Sequence, residues 1–180
     1  MTFTNYHIAI NKADVRPSLS SNFNVAANLE IEEVKPDFEA MLPLLERVGG
    51  PWDWPRREGY LDYLKGIIEH PDTRMMLLKK NGAAIGYCLA NKQVEPVEGI
   101  GTNNIGRIEN YGLFLEETAH GYGKFFLPRI FEMLFQQYDA VYLTTRSTNH
   151  PRVVPFYKSL GMTVIKTEEL EDDLVATCAR

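Results

Sequence analysis

Cysteine is scarce in this chain. Its 180 residues carry two, Cys88 and Cys178, far apart and without metal-ligand spacing. Cys88 lies in the apolar run Ala84, Ile85, Tyr87, Leu89 and is expected to act as a small buried hydrophobe. Histidine is nearly as rare, at 4. His7, His70 and His120 do not cluster with cysteines or carboxylates, so no metal site is expected. No apolar run approaches the roughly 20 residues of a spanning helix. The first residues lack a basic segment followed by a long apolar core, so no signal peptide is expected. The expectation is a reduced, cytoplasmic protein with no membrane partner. Positive charge is also in deficit: 19 Lys and Arg stand against 24 Asp and Glu, a formal net charge of -5. No basic field is available for a polyanion, which argues against nucleic acid as a partner. A mildly acidic surface suits a cationic small molecule or peptide better.

What is present is ordinary for a globular domain, with 44% hydrophobic and 24% charged residues. A chain of this size buries about two-thirds of its unfolded surface. Repeats, low-complexity tracts and linkers are lacking, so one domain is expected over 29–180, preceded at 1–28 by an N-terminal arm or extra strand. Tyr6–Ile10 alternates weakly, as a short strand does. Leu29–Val34 alternates apolar with acidic residues, the pattern of a half-buried strand. Pro36 and Asp37 open a helix with Phe38, Met41, Leu42, Leu45 and Val48 on one stripe, and Gly49, Gly50 and Pro51 stop it. A second helix is expected over Arg57–Glu69. Thr73–Lys80 and Ala83–Asn91 flank Asn81-Gly82, a strong hairpin signal. A strand over Ile105–Leu115, a buried helix over Gly121–Gln137 with a kink at Pro128, and a strand over Ala140–Thr145 follow. A short helix over Pro151–Leu160 and a strand over Met162–Lys166 come next, with a last strand at Leu174–Thr177. This order implies a mixed sheet covered by helices, an α/β (mixed α+β) fold.

The most informative stretch runs from Tyr111 to Lys124. A strand ends near Leu115, a turn follows, and a helix starts at Gly121-Tyr122-Gly123. Glycine lets a ligand approach the backbone, and the first amides of a helix have no internal partner. With the helix dipole, they make an anion site of the kind that takes a diphosphate. A glycine turn with packing duties alone gives the same local pattern. A Walker loop is excluded, and the dinucleotide fingerprint G-x-G-x-x-G is broken by Phe at 126.

Downstream, the Ala140–Thr145 strand leads into Ser-Thr-Asn149-His150-Pro151 and then FYKSLGM at 156–162. With HGYG at 120–123 and Asn149 between, the chain resembles the GNAT acyltransferase superfamily over roughly residues 29–167. Gly49–Trp54, a Gly-Gly-Pro-Trp-x-Trp element, is similar to one branch of it. The resemblance implies a central mixed, largely antiparallel sheet with a splayed parallel pair, flanked by helices. It implies an N-acetyltransferase moving acetyl from acetyl-CoA to a primary amine of a small molecule, amino acid or peptide by direct attack in a ternary complex. The alternative is a coenzyme A-binding regulatory domain without catalysis. It further implies that Leu113, Phe114 and Leu115 pair with the pantetheine arm, and that amides of Thr118, Ala119, His120, Gly121, Tyr122, Gly123 and Lys124 hold the diphosphate. Asn149 would bond the pantetheine, and Tyr157 would sit near the thioester sulfur. Leu115 stands where the family usually has Pro, and Thr118 where it usually has Arg or Gln, so a cation is missing and Lys124 and His120 gain weight. A monomer or homodimer is expected.

Transfer to an amine needs a neutral nucleophile, a stabilised oxyanion and a proton for the departing thiolate. A free alkyl amine has a pKa near 10, so a base or water path must take its proton. Glu109 is the first candidate, or else an exposed strand carboxylate. Tyr157 is the candidate acid, or else an aromatic packed on the sheet. An amide near Leu115 suits the oxyanion. Glu116 and Glu117 would oppose the diphosphate charge and are read as solvated. His150 belongs to a helix cap or a proton relay. On the acceptor side Trp52 and Trp54 either cage a cationic amine or wedge the first two helices together, and Tyr111 is a further substrate-binding candidate.

Overall fold

The computed structural model describes residues 2–15, 28–52, 54–56 and 58–171, apart from the side chains of Trp52 and Arg56. Seven strands and four α-helices alternate along them: β1 Thr2–Asn11, β2 Leu29–Val34, α1 Phe38–Gly49, α2 Tyr60–Glu69, β3 Arg74–Lys80, β4 Ala83–Lys92, β5 Ile105–Leu113, α3 Tyr122–Leu134, β6 Ala140–Arg146, α4 Val153–Ser159 and β7 Thr163–Glu171. Hydrogen bonding orders the strands β2-β3-β4-β5-β6-β1-β7. The sheet is mixed, with β5 and β6 parallel and the β1–β6, β1–β7, β2–β3 and β3–β4 ladders antiparallel. No helix of the described residues is long and apolar enough to cross a membrane.

The chain divides into two compact units. The second holds β2, α1, α2, β3, β4 up to Asn91, the second half of β5 from Glu109, and the turn up to Phe126. Its elements follow from local chemistry. The Asp37 side chain accepts the Ala40 N–H at 2.8 Å and caps α1. The helical stripe then buries Met41, Leu45 and Val48. Each such side chain contributes about 1.5–3 kcal/mol by leaving water. Asn81 and Gly82 adopt positive φ of 53° and 80°, as a two-residue hairpin turn with the right twist requires. On edge strand β2, Glu33 accepts both Nε and Nη2 of Arg74 at 2.7 and 2.8 Å. β4 and β5 come very close: a Cβ at Gly86 would stand 2.6 Å from the Gly112 carbonyl oxygen. Cys88 is fully buried, as expected, and burial pushes its thiol far above the ordinary range.

The first unit holds β1, the Lys92–Asn104 loop, the first half of β5, α3 from Leu127, β6, α4 and β7. Ile8, Ile10, Val141 and Leu143 are buried with Ile130, Phe131 and Leu134 of α3. The N-terminal strand is longer than Tyr6–Ile10 and lies between β6 and β7, pairing with both. The parallel ladder covers only Ile105–Arg107 against Ala140–Tyr142, although β6 runs on to Arg146. Some boundaries move from expectation. α2 starts at Tyr60 because Gly59 takes a left-handed φ of 71°. β5 stops at Leu113, and Leu115–Glu117 forms a 3-10 turn. β7 extends to Glu171 through its pairing with β1. Pro128 lies inside α3. The strand expected at Leu174–Thr177 lies outside the described residues.

Candidate active site

The turn before α3 is built from its backbone. Phe114 is buried and its N–H donates to the Ile85 carbonyl at 2.8 Å, which fixes the end of β5. Leu113 is half-buried beside Gly86, and Leu115 stands 54% exposed. The N–H of Thr118 donates to the Leu115 carbonyl at 3.1 Å and its hydroxyl to the same oxygen at 2.7 Å, while the N–H of Lys124 donates to Gly121 at 3.0 Å. Ala119 and Gly121 then take positive φ of 64° and 81°. This alternation turns consecutive amides toward one side, the geometry of an anion-binding concavity. The N–H groups of Ala119, His120, Gly121, Tyr122 and Gly123 have no backbone acceptor among the described residues. A Cβ on Gly121 would meet nothing within 4 Å, so the space above the glycine is open. Five open amides at a helix start therefore fit a diphosphate.

Both acidic residues of the turn are ion-paired: Glu116 is exposed, as expected, whereas Glu117 is largely buried, which corrects the sequence expectation for it. Glu116 pairs with Arg47 of α1, and Glu117 with Lys80 of β3 at 2.9 Å. Backbone hydrogen bonding and then Arg47 hold the Glu116 carboxyl below its ordinary range. Glu117 and then Tyr122 raise the Lys80 ammonium. The Arg47 guanidinium also lies 3.7 Å from the Phe114 ring centroid, and Lys80 Nζ 5.2 Å from that of Tyr122. His120 stacks on Tyr122 at 5.5 Å. Each carboxylate beside the turn is thus neutralised by a cation from elsewhere in the same unit. Lys124 is exposed.

Behind the turn, the second unit carries a phenol-rich network. Glu109 is half-buried and accepts the Tyr63 hydroxyl at 3.2 Å. Tyr87 donates to Asn110 Oδ1 at 2.6 Å, and Asn110 Nδ2 donates to the Tyr60 oxygen at 2.7 Å. Burial drives the Tyr87 phenol well above its ordinary value, so it stays a donor. Tyr60 lies 6.4 Å from both Trp54 and Tyr63, ring to ring. Trp54 packs on the end of α1, where a Cβ on Gly49 would stand 3.1 Å from its ring. That contact has the wedge geometry. Tyr111 packs against Phe126 at 5.6 Å. The side chain of Trp52 is not described.

Asn149 and Tyr157 belong to the first unit. Asn149 follows β6, its N–H donating to Arg146 O at 3.0 Å and its Nδ2 to Thr145 Oγ1 at 2.9 Å. Tyr157 is 8% exposed and its ring packs 5.5 Å from Phe156. His150 Nδ1 accepts the Arg152 N–H at 3.2 Å, a cap-like contact before α4.

The sequence profile of the Acetyltransferase (GNAT) family matches residues 34–162. The chain belongs to the GNAT acetyltransferase family. The match takes in the turn, Asn149 and Tyr157. Solved structures agree on the fold. A conserved protein of unknown function from Staphylococcus epidermidis aligns over 94% of this chain and 60% of its own length, at 14% identity and a TM-score of 0.64. The aminoglycoside N-acetyltransferase AAC(6')-Iy, in complex with CoA, aligns over 83% and 95%, at 16% identity and a TM-score of 0.60. A GCN5-related N-acetyltransferase from Kribbella flavida aligns over 91% and 55%, at 12% identity and a TM-score of 0.58. The chain thus spans little more than half the length of the first and last of these. No curated protein matches the sequence.

Sequence reasoning missed Tyr60, Tyr63 and Asn110, and the cations Arg47 and Lys80. Tyr60 and Tyr63 carried a usable signal, because residues three apart share a helix face. Arg47 and Lys80 carried none, since their partners lie 69 and 37 residues away.

Proposed function

We propose that the chain is an acetyl-CoA-dependent N-acetyltransferase acting on a primary amine of a small molecule, amino acid or peptide. The observation that carries this is the run of five open amides from Ala119 to Gly123. They suit the diphosphate of coenzyme A, with Leu113–Leu115 beside the pantetheine arm and Asn149 bonded to it. When bound, the acyl thioester would supply the electrophile. Glu109, held by Tyr63, takes a proton from the incoming ammonium. Tyr157 would give its phenolic proton to the departing sulfur. The phenols around Glu109 suit a cationic acceptor, and the aminoglycoside acceptor of one structural relative is of that type.

The test is acetyl-CoA turnover against a panel of amines, read as free thiol, for wild type and Tyr157→Phe. Amine-dependent thiol release that falls about a hundredfold in the variant is expected, the usual worth of a positioned acid. Binding of acetyl-CoA without thiol release from any amine, and alike in both proteins, would favour the regulatory coenzyme A-binding domain instead.

A further inference from the structure

Acetylation of an ammonium leaves one proton over. The nitrogen loses two, the thiol keeps one, and the other must reach solvent. In the first unit, three residues from three strands form a hydrogen-bonded chain that the roles assigned so far do not use. Tyr142 of β6 meets His7 Nδ1 at 2.6 Å, and His7 Nε2 meets Glu168 Oε2 of β7 at 2.9 Å. A carboxylate only accepts, so Nε2 carries the proton of neutral His7 and Nδ1 accepts the Tyr142 hydroxyl. Exposure rises along the chain: Tyr142 is 5% exposed, and the side chains of His7 and Glu168 are 15% and 33% exposed. Tyr142 also occupies the last rung of the parallel ladder, opposite Arg107. The neighbouring groups are Asn5 at 3.4 Å from His7 Nε2, Lys166 at 2.7 Å from Glu168, and the Arg107 guanidinium 5.8 Å from the Tyr142 ring centroid.

We infer that Tyr142, His7 and Glu168 form a proton exit for the transfer reaction, running from the buried end of the β5–β6 ladder to solvent. The inference rests on the transferase reading above. As the N–C bond forms and the C–S bond breaks, the first nitrogen proton, held by Glu109, replaces the one that Tyr157 gives to sulfur. Tyr142 takes the second from the nitrogen and passes its own to His7 Nδ1. His7 then releases its Nε2 proton to Glu168, and from there it reaches water. Tyr142 is the proton-transfer residue, while His7 and Glu168 act through it.

Two measurements test this. The first is thiol release across pH for wild type, Tyr142→Phe and Glu168→Gln, beside coenzyme A affinity. Tyr142→Phe is expected to lose about ten- to a hundredfold in rate with affinity held within about twofold, and free imidazole in the buffer should restore part of the rate. The Glu168→Gln pH profile should shift. The second, on the protein without cofactor, is nitrogen NMR of the histidine rings. His7 should show the Nε2–H tautomer with slow exchange, lost in Glu168→Gln. Normal turnover in Tyr142→Phe, or a reduced rate that imidazole and pH do not move, overturns the exit while leaving the transferase intact. No thiol release from wild type with any amine overturns both.

Discussion

The Leu115–Lys124 turn and the Tyr142–His7–Glu168 chain handle charge with different materials. The turn is one continuous segment, and the groups it leaves open are backbone amides that do not titrate. Its two carboxylates are neutralised by Arg47 and Lys80. The chain joins residues 135 and 161 positions apart, and every link in it is a side chain that can gain or lose a proton. In the proposed reading the first binds a fixed anion through geometry, so its weak points would be conformational. In the proposed exit the second moves a proton through chemistry, so its weak points would be single atoms. A substitution that spares folding should therefore impair affinity in one region and rate in the other.

The largest effect expected comes from the strand that leads into the turn. In Gly86→Ala the new Cβ would lie 2.6 Å from the Gly112 carbonyl oxygen and 3.1 Å from Leu113 Cα. Backbone cannot swing aside like a side chain, so a loss of about 3 kcal/mol is expected, the upper end for overpacking. Denaturant unfolding measures it. Coenzyme A affinity should fall as well, because Leu113 and Phe114 must move, whereas the His7 ring signals should stay. A variant that loses the His7 tautomer signal as readily as affinity would break the distinction between the two regions.

Gly121→Ala is milder and more local. Its φ of 81° costs a residue with a Cβ about 1–2 kcal/mol, but the added carbon meets no protein atom. In the proposed reading it stands where a phosphate would approach the amides. Coenzyme A affinity should fall about tenfold, roughly one charge-assisted hydrogen bond, as read by calorimetry. Undiminished affinity would mean that the diphosphate does not lie over this glycine.

These contrasts also explain what was legible in the sequence. The turn was readable because its information is local: Gly121 and Gly123, the helix start and the strand before them are adjacent in the chain. The hairpin at Asn81-Gly82 and the Asp37 cap were readable for the same reason. The ion pairs of Glu116 and Glu117, and the burial of Glu117, were not legible because the neutralising cations come from α1 and β3. β1 was only half visible, since Thr2–Asn5 alternate poorly and are held by pairing with β7, joined at Asn5 by β6. The hydrogen-bond partners of His7 carry no local sequence signal, because they lie across two ladders.

The smallest effect expected sets one carboxylate of each region side by side. Backbone hydrogen bonding and Arg47 lower the Glu116 carboxyl, while Lys166 first and then His7 lower that of Glu168, both from an ordinary value of 4.5. A carboxyl with a depressed folded-state value contributes stability that is complete above its unfolded value. That contribution disappears as pH falls through the folded one. Both should therefore act above pH 4.5 and fade below it. Melting temperature followed from pH 6 to pH 3 should show the wild type losing a little more than Glu168→Gln, with the two curves meeting at the acid end. Glu116→Gln should behave in the same way but more weakly as salt rises, because the side chains of Glu116 and Arg47 are 57% and 56% exposed. If Glu168→Gln parallels the wild type throughout, the Glu168 link to His7 adds nothing to folding, and any role left to it lies in proton transfer alone.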